Sequence, residues 1–348
     1  MKPAALAAAL LLGACVSAGA QTEAVPGTRP AAEIESFPHV DISNGILSAR
    51  VFPPGKGELN QGARFDHAGV VFHITYKGQD FNSYWFDRFV TDPMDNGKYP
   101  PATEHSCCNM SGPVEEFSVV GFDDAGVGGR YLKPGIGIYQ RVNDKYSQYS
   151  AQTILNEGKR TFKSTKTGAR FTQELSDIES GYGYRYAKSV QLVPGKSQMT
   201  ISHVLTNTGK KDIVTEVFCH NFLTIDPGSA NLVITAPFQW SAVEPFQPEL
   251  VKLDGNTIRY LAPIPKGVTT QSLLTGFGDK ASDYDFTITN TTSGFGQRIR
   301  ADTPPSKINM WSIPATYSLE PYVAISLKPG QTKRWTYTYD FFGPGEKP

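Results

Sequence analysis

The sequence predicts an all-β chain: one large domain built from two packed antiparallel sheets. Three observations lead there. Apolar and polar residues alternate in segment after segment. Turn residues, 33 Gly and 25 Pro, punctuate nearly every one of those segments. No helical stripe of about a dozen residues occurs anywhere past the leader.

In order, the chain starts with a short positive stretch at Met1–Pro3 and an apolar core at Ala4–Leu12. Ala18-Gly19-Ala20 before Gln21 reads as a small-residue cleavage site, making residues 1–20 a signal peptide. Leu12-Gly13-Ala14-Cys15 also fits a lipoprotein signal over 1–14, which would leave a lipid on Cys15. Either route exports the protein to the periplasm or the exterior, anchored to the outer membrane in the second case. Residues 21–37 are rich in Ala, Pro, Glu and Thr without apolar period and read as a flexible leader. A single β-sandwich domain is expected over 38–345. Ile46–Phe52 alternates, as does Gly69–Tyr76 before a Lys77-Gly78 turn. Ser189–Asn207 reads as a hairpin about Pro194-Gly195, and Ile213–His220 and Leu232–Ala236 continue the pattern. Tyr322–Leu327, a turn at Lys328–Gln331 and a strand from Arg334 read as a last hairpin.

Lys plus Arg and Asp plus Glu number 33 each, so the net charge is zero. No basic stripe is offered to nucleic acid and no polybasic cluster to anionic lipid. A neutral chain rich in Tyr and Phe suits a sugar ligand. No apolar stretch after the leader is long enough for a membrane helix, so Cys15 would be its only membrane link. Cys107, Cys108 and Cys219 remain past the leader. One disulfide from Cys219 to either neighbour is compatible with this number. The adjacent pair lacks the spacing of zinc ligands, and no metal site is expected.

Two residues could carry acid–base chemistry. Glu320 stands in an otherwise uncharged run from Ile313 to Leu327, where desolvation raises a carboxyl pKa; it is either paired or functional. His220 ends an apolar run, and a strand end could aim its imidazole into a cleft with a pKa near neutrality. Its alternative is a histidine hydrogen-bonded within the sheet. Arg64 could hold hydroxyls through its forked donors or pair with Asp66 or Glu116. Glu115 and Glu116, on a strand, face opposite ways, so at most one enters a cleft. Asp66, Glu115 and Glu116 are candidate ligand contacts, as are Trp85 within Tyr84-Trp85-Phe86 and His105 beside a polar loop. His67 reads as exposed or as a supporting contact, and His73 and His203 as structural.

Taken together, these segments resemble the galactose mutarotase-like (aldose 1-epimerase) superfamily. The resemblance rests on His220-Asn221-Phe222 in mid-chain, then Leu319-Glu320, Lys328-Pro329-Gly330 and the aromatic strand Trp335–Phe342, with Arg64 after an early glycine turn. It spans roughly Val40 to Phe342 and implies a galactose mutarotase-like β-supersandwich. It further implies that Glu320 deprotonates the anomeric hydroxyl, His220 protonates the ring oxygen and Arg64 orients the sugar, with no cofactor. Many such epimerases carry a second histidine in a His-Gly-Gly segment; this chain has Ser111–Phe117 there, without one. That departure points away from free galactose or glucose and towards a modified or polymer-derived sugar.

Three functions follow as expectations. The first is an exported aldose 1-epimerase-like isomerase. The second is a lyase or hydrolase on the same scaffold, and the third a non-catalytic carbohydrate-binding protein, since a fold does not fix its chemistry.

Overall fold

The computed structural model describes residues 34–55, 57–60, 62–85, 110–150, 152–225 and 230–348. Every strand pair among them is antiparallel, in sheets of ten, six, four and three strands. The two larger sheets form the sandwich that the sequence predicts. Helical structure among the described residues is minor, as in the 3-10 turn Ala281–Asp283, and no described helix is long and apolar enough to cross a membrane.

The ten-stranded sheet contains the expected hairpin, Gly183–Leu192 paired with Gln198–Asn207. Gly195 in its turn has a φ of 70°, a conformation that glycine adopts without a Cβ clash. On its far side Gln198–Asn207 pairs with Thr332–Phe342. The six-stranded sheet runs in the order Ser241–Ala242, Thr270–Thr275, Lys307–Ile313, Thr316–Leu327, Ile213–His220 and Val114–Phe117. Alternate residues of both sheets meet between them. Val217, Leu319, Val323 and Ile325 from the smaller sheet pack into one core with Ile201, Leu205, Trp335 and Tyr337 from the larger. Burial of this apolar surface is the main favourable term holding the layers together.

Three expectations about the chain path are corrected. The last two strands do not pair as a hairpin, because Thr316–Leu327 belongs to the six-stranded sheet and Thr332–Phe342 to the ten-stranded one. Their turn carries the chain across the sandwich, so the apolar faces meet through the core rather than edge to edge. Second, the strand holding Glu320 starts at Thr316 and passes straight through Pro321. Its ladder with Ile213–His220 ends at Phe218 opposite Tyr322, next to the residue that has no N–H to donate. Third, the packed chain begins ahead of residue 38, inside the expected leader 21–37. Ile34 is buried in a cluster with Phe52, Phe65 and Trp85.

Candidate active site

The outer face of the six-stranded sheet is the floor of a cleft of about 560 Å³. Strand alternation sends Phe218 and His220, Glu320 and Tyr322, Lys307, Asn309 and Trp311, and Gln271 and Leu273 to this face. Arg64, Trp85, Tyr149 and Phe222 close one end, while Glu244 stands at the other.

His220 and Glu320 meet on this floor, with Nε2 of the imidazole 3.2 Å from Oε1 of the carboxyl. The two residues lie where Pro321 has ended the ladder between their strands. Asn221 fastens the strands there instead. Its Nδ2 donates to the Leu319 carbonyl at 2.8 Å, and its backbone N–H donates to Ser318 Oγ at 3.0 Å. Tyr339, from the opposite sheet, donates its hydroxyl to Asn221 Oδ1 at 2.9 Å. Gly112 passes so close that a Cβ there would sit 2.2 Å from the His220 carbonyl oxygen. The segment that lacks the second histidine therefore braces the backbone of the first.

Both side chains are deeply placed, each residue 3 % exposed. Burial raises the Glu320 pKa to about 7, opposed by the hydrogen bond that Asn309 Nδ2 donates to Oε2 at 2.8 Å and by the charge of Arg64. Burial, together with Arg64, pushes the His220 pKa well below its usual 6.5. The sequence reading assigns near-neutral titration to the imidazole; in the structure the carboxyl holds that position, because both groups are desolvated and desolvation moves acids and bases in opposite directions. His220 Nδ1 is buried without a hydrogen-bond partner among the described residues. Aromatic rings hold the imidazole instead. Phe222 stacks on it at 3.5 Å, Trp85 stacks behind Phe222 at 5.1 Å, and Phe65 and Trp311 present edges at 5.8 and 5.3 Å.

Arg64 donates from Nε to Glu116 Oε2 at 2.7 Å, and its guanidinium lies over Phe65 and Tyr149. Lys133 Nζ lies 3.5 Å from the other Glu116 oxygen. Glu116 therefore backs Arg64 rather than lining the cleft. Asp66 and Glu115 stand elsewhere, and their assignment as ligand contacts is corrected. Glu115 points from the other side of its strand into the core, where Lys188 Nζ bonds it and His203 Nε2 lies 2.8 Å away. Asp66 accepts from the same Lys188 at 3.3 Å and from Tyr186 at 3.2 Å. Their side chains, with those of Lys188 and His203, have no exposed surface. Lys188 and His203 hold the Glu115 pKa down against burial, whereas burial pushes that of Asp66 up.

Trp85 is likewise corrected as a platform. It is 1 % exposed, donates Nε1–H to the Met110 carbonyl at 2.7 Å and spends one face on Phe222. The half-buried ring on the cleft floor is Trp311, which the sequence reading overlooks together with Asn309. Their signal is the alternation of Lys307, Asn309 and Trp311 with Ile308 and Met310. His67 is buried rather than exposed, with Nε2 2.7 Å from the Gly62 carbonyl. His203 is a partner of Glu115. His105, Cys107 and Cys108 lie outside the described residues, and Cys219 is a free buried thiol.

No protein-family model matches the sequence, and no curated protein matches it. Solved structures do match. An aldose epimerase homologue from C. elegans is similar at TM-score 0.53 and 14 % identity, covering 88 % of this chain and 99 % of that one. A galactose mutarotase-like protein from Clostridium acetobutylicum is similar at TM-score 0.51 and 11 % identity, over 89 % and 96 % of the two chains. One from Lactobacillus casei gives TM-score 0.50 and 12 % identity, over 88 % and 100 %. Identities this low establish likeness of fold. The sandwich is of the galactose mutarotase-like kind.

Proposed function

We propose that this galactose mutarotase-like sandwich is an acid–base catalyst that interconverts the anomers of a reducing sugar, with Glu320 and His220 as its proton-transfer pair. One observation carries the reading: the carboxyl and the imidazole lie 3.2 Å apart on the floor of an open cleft. Opening a sugar ring requires a proton to leave the anomeric hydroxyl and another to reach the ring oxygen. Those two oxygens are bonded to the same carbon, so their acid and base must be neighbours too.

Near neutral pH the pair holds one exchangeable proton beyond the N–H that the imidazole keeps on Nδ1. In its reactive arrangement that proton is on Nε2 and Glu320 is a carboxylate. The carboxylate takes the anomeric hydroxyl proton while Nε2–H protonates the ring oxygen; the bond from C1 to the ring oxygen breaks and a C1 carbonyl forms. Glu320 now carries the proton, His220 is neutral, and the pair's proton count is unchanged. Rotation about C1–C2 turns the other carbonyl face, and the reverse transfers close the ring as the opposite anomer. Arg64, held by Glu116, orients the hydroxyls. The reading includes export: a leader as expected from residues 1–20 would carry the reaction outside the cytoplasm.

The test is Glu320→Gln, measured by NMR exchange between anomers across a sugar panel. The variant should lose on the order of a hundredfold or more in rate while keeping its denaturation midpoint at pH 5. Wild type and variant both running at the uncatalysed rate on every sugar would end the proposal.

A further inference from the structure

We infer that the substrate is a reducing oligosaccharide whose terminal ring enters the deep end of the cleft and whose next ring lies over Gln271, Leu273 and Glu244. This rests on the acid–base reading above and adds the substrate class. The first support is the size of the floor. It crosses four neighbouring strands, from that of His220 to that of Leu273. At about 4.8 Å per interstrand gap, three gaps span roughly 14 Å. His220 and Glu320 occupy only the first two strands. The volume, about 560 Å³, lies within the range of roughly 300–1,000 Å³ that encloses drug-sized ligands, and exceeds one hexose.

The second support is a gradient of depth. His220 and Glu320 are each 3 % exposed, Asn309 is 8 % and Leu273 is 42 %. The cleft is thus closed around the reacting atoms and open towards Leu273. An anomeric centre facing Glu320 leaves the opposite side of its ring, and any glycosidic link from it, pointing along the open direction.

The third support is the chemistry of that shelf. Gln271 and Glu244 offer an amide and a carboxylate, the groups that pair with hydroxyls. Trp311, the strand partner of Gln271, and Leu273 offer apolar surface for the C–H face of a ring. The shelf is tied together: Ser272 Oγ donates to the Glu244 carbonyl at 2.8 Å, and Val243 N–H donates to the Leu273 carbonyl at 2.9 Å. Lys307, the nearby cation, is taken by Glu216 at 2.7 Å and lies over the Tyr322 ring at 3.8 Å. With Lys307 so neutralised and the Glu244 carboxylate on the same shelf, the shelf suits a neutral ring over a phosphorylated or acidic one.

The experiment measures kcat/KM for anomer exchange on matched pairs: glucose with maltose and cellobiose, mannose with mannobiose, xylose with xylobiose. At least one disaccharide should exceed its monosaccharide tenfold or more. Gln271→Ala and the surface variant Leu273→Asp should each bring that ratio close to one. Equal rates within every pair, with both variants leaving the ratios unchanged, would overturn the inference and leave the acid–base reading standing. No catalysis on any sugar would remove that reading and this inference with it.

Discussion

The ring of Phe222 lies flat on the imidazole of His220, 3.5 Å between centroids and 8° from parallel, and the backbone of Phe222 is left-handed at φ 43°. A bulky residue in that region is strained, typically by about 1–3 kcal/mol. The strain folds the chain back so that the residue two places after the imidazole becomes its lid. With Nδ1 lacking a partner among the described residues, stacking and the one polar contact of Nε2 with Glu320 set the tilt of the ring.

Phe222 is therefore a positioning residue. Phe222→Leu should lower kcat roughly five- to tenfold, the equivalent of about 1 kcal/mol of lost stacking, with KM little changed. Phe222→Tyr, which keeps the ring, should restore most of it. A variant that raised KM alone, or a tyrosine no better than leucine, would assign the residue to packing only.

The pH dependence of kcat/KM follows from the single proton of the pair. Glu320 gives up its proton as pH rises through about 7, leaving a base without its acid, so activity should fall on the alkaline side. The pair takes a second exchangeable proton, on His220 while Glu320 keeps its own, only well below pH 6.5, so activity should stay level down to that region. Asn309 favours the carboxylate by hydrogen bonding to it. Asn309→Ala should move the alkaline limb up by about one pH unit. A downward movement would contradict the assignment.

Stability should show the same group with its own sign. The Glu320 carboxyl holds its proton more tightly folded, at about 7, than its ordinary 4.5. Its contribution is complete below pH 4.5 and is lost as pH rises through 7. Glu320→Gln removes this dependence, so the variant should gain on wild type by up to roughly 3 kcal/mol at pH 8 and by little at pH 5. Urea midpoints at the two pH values measure it. The same difference at both would be incompatible with a raised pKa.

Lys188 stands between two carboxylates in the sandwich core. Lys188→Met should destabilise by about 3–5 kcal/mol, because it leaves Asp66 and Glu115 uncompensated. Adding Glu115→Gln should recover part of that loss in chemical denaturation. If the double variant is as unstable as the single one, the missing packing of Lys188, rather than charge, is responsible.

Much of the sandwich is legible in the alternation of Ser189–Asn207 and Ile213–His220, where each strand's pattern reports its own burial. What escapes is information held by partners. Pro321 hides half of the strand Thr316–Leu327, because a proline argues against a central strand unless the neighbouring ladder is known to stop beside it. The closing strands read as a hairpin because their alternation is the same whether they pair at their edges or face each other across a core. The opposed directions of Glu115 and Glu116 follow from strand geometry, but which one is interior depends on Lys188 and His203, more than seventy residues later. His220 and Glu320, a hundred residues apart, are connected beforehand only by the resemblance. The raised carboxyl pKa of Glu320 is legible in its uncharged run; the lowered pKa of His220 is not, because its depth of burial is not written in its segment.

The four-residue strip Val114–Phe117 sits at the rim of its sheet, hydrogen-bonded along one flank to Ile213–His220. So short a rim element has little to stop it sliding lengthwise. Here a slip by one position would turn Glu115 out and Glu116 in. Lys188 and His203 would lose their anion inside, and Arg64 and Lys133 theirs outside, in the same movement. The adjacent acids thus index the strip like two teeth of a ratchet, and only one setting leaves no charge stranded.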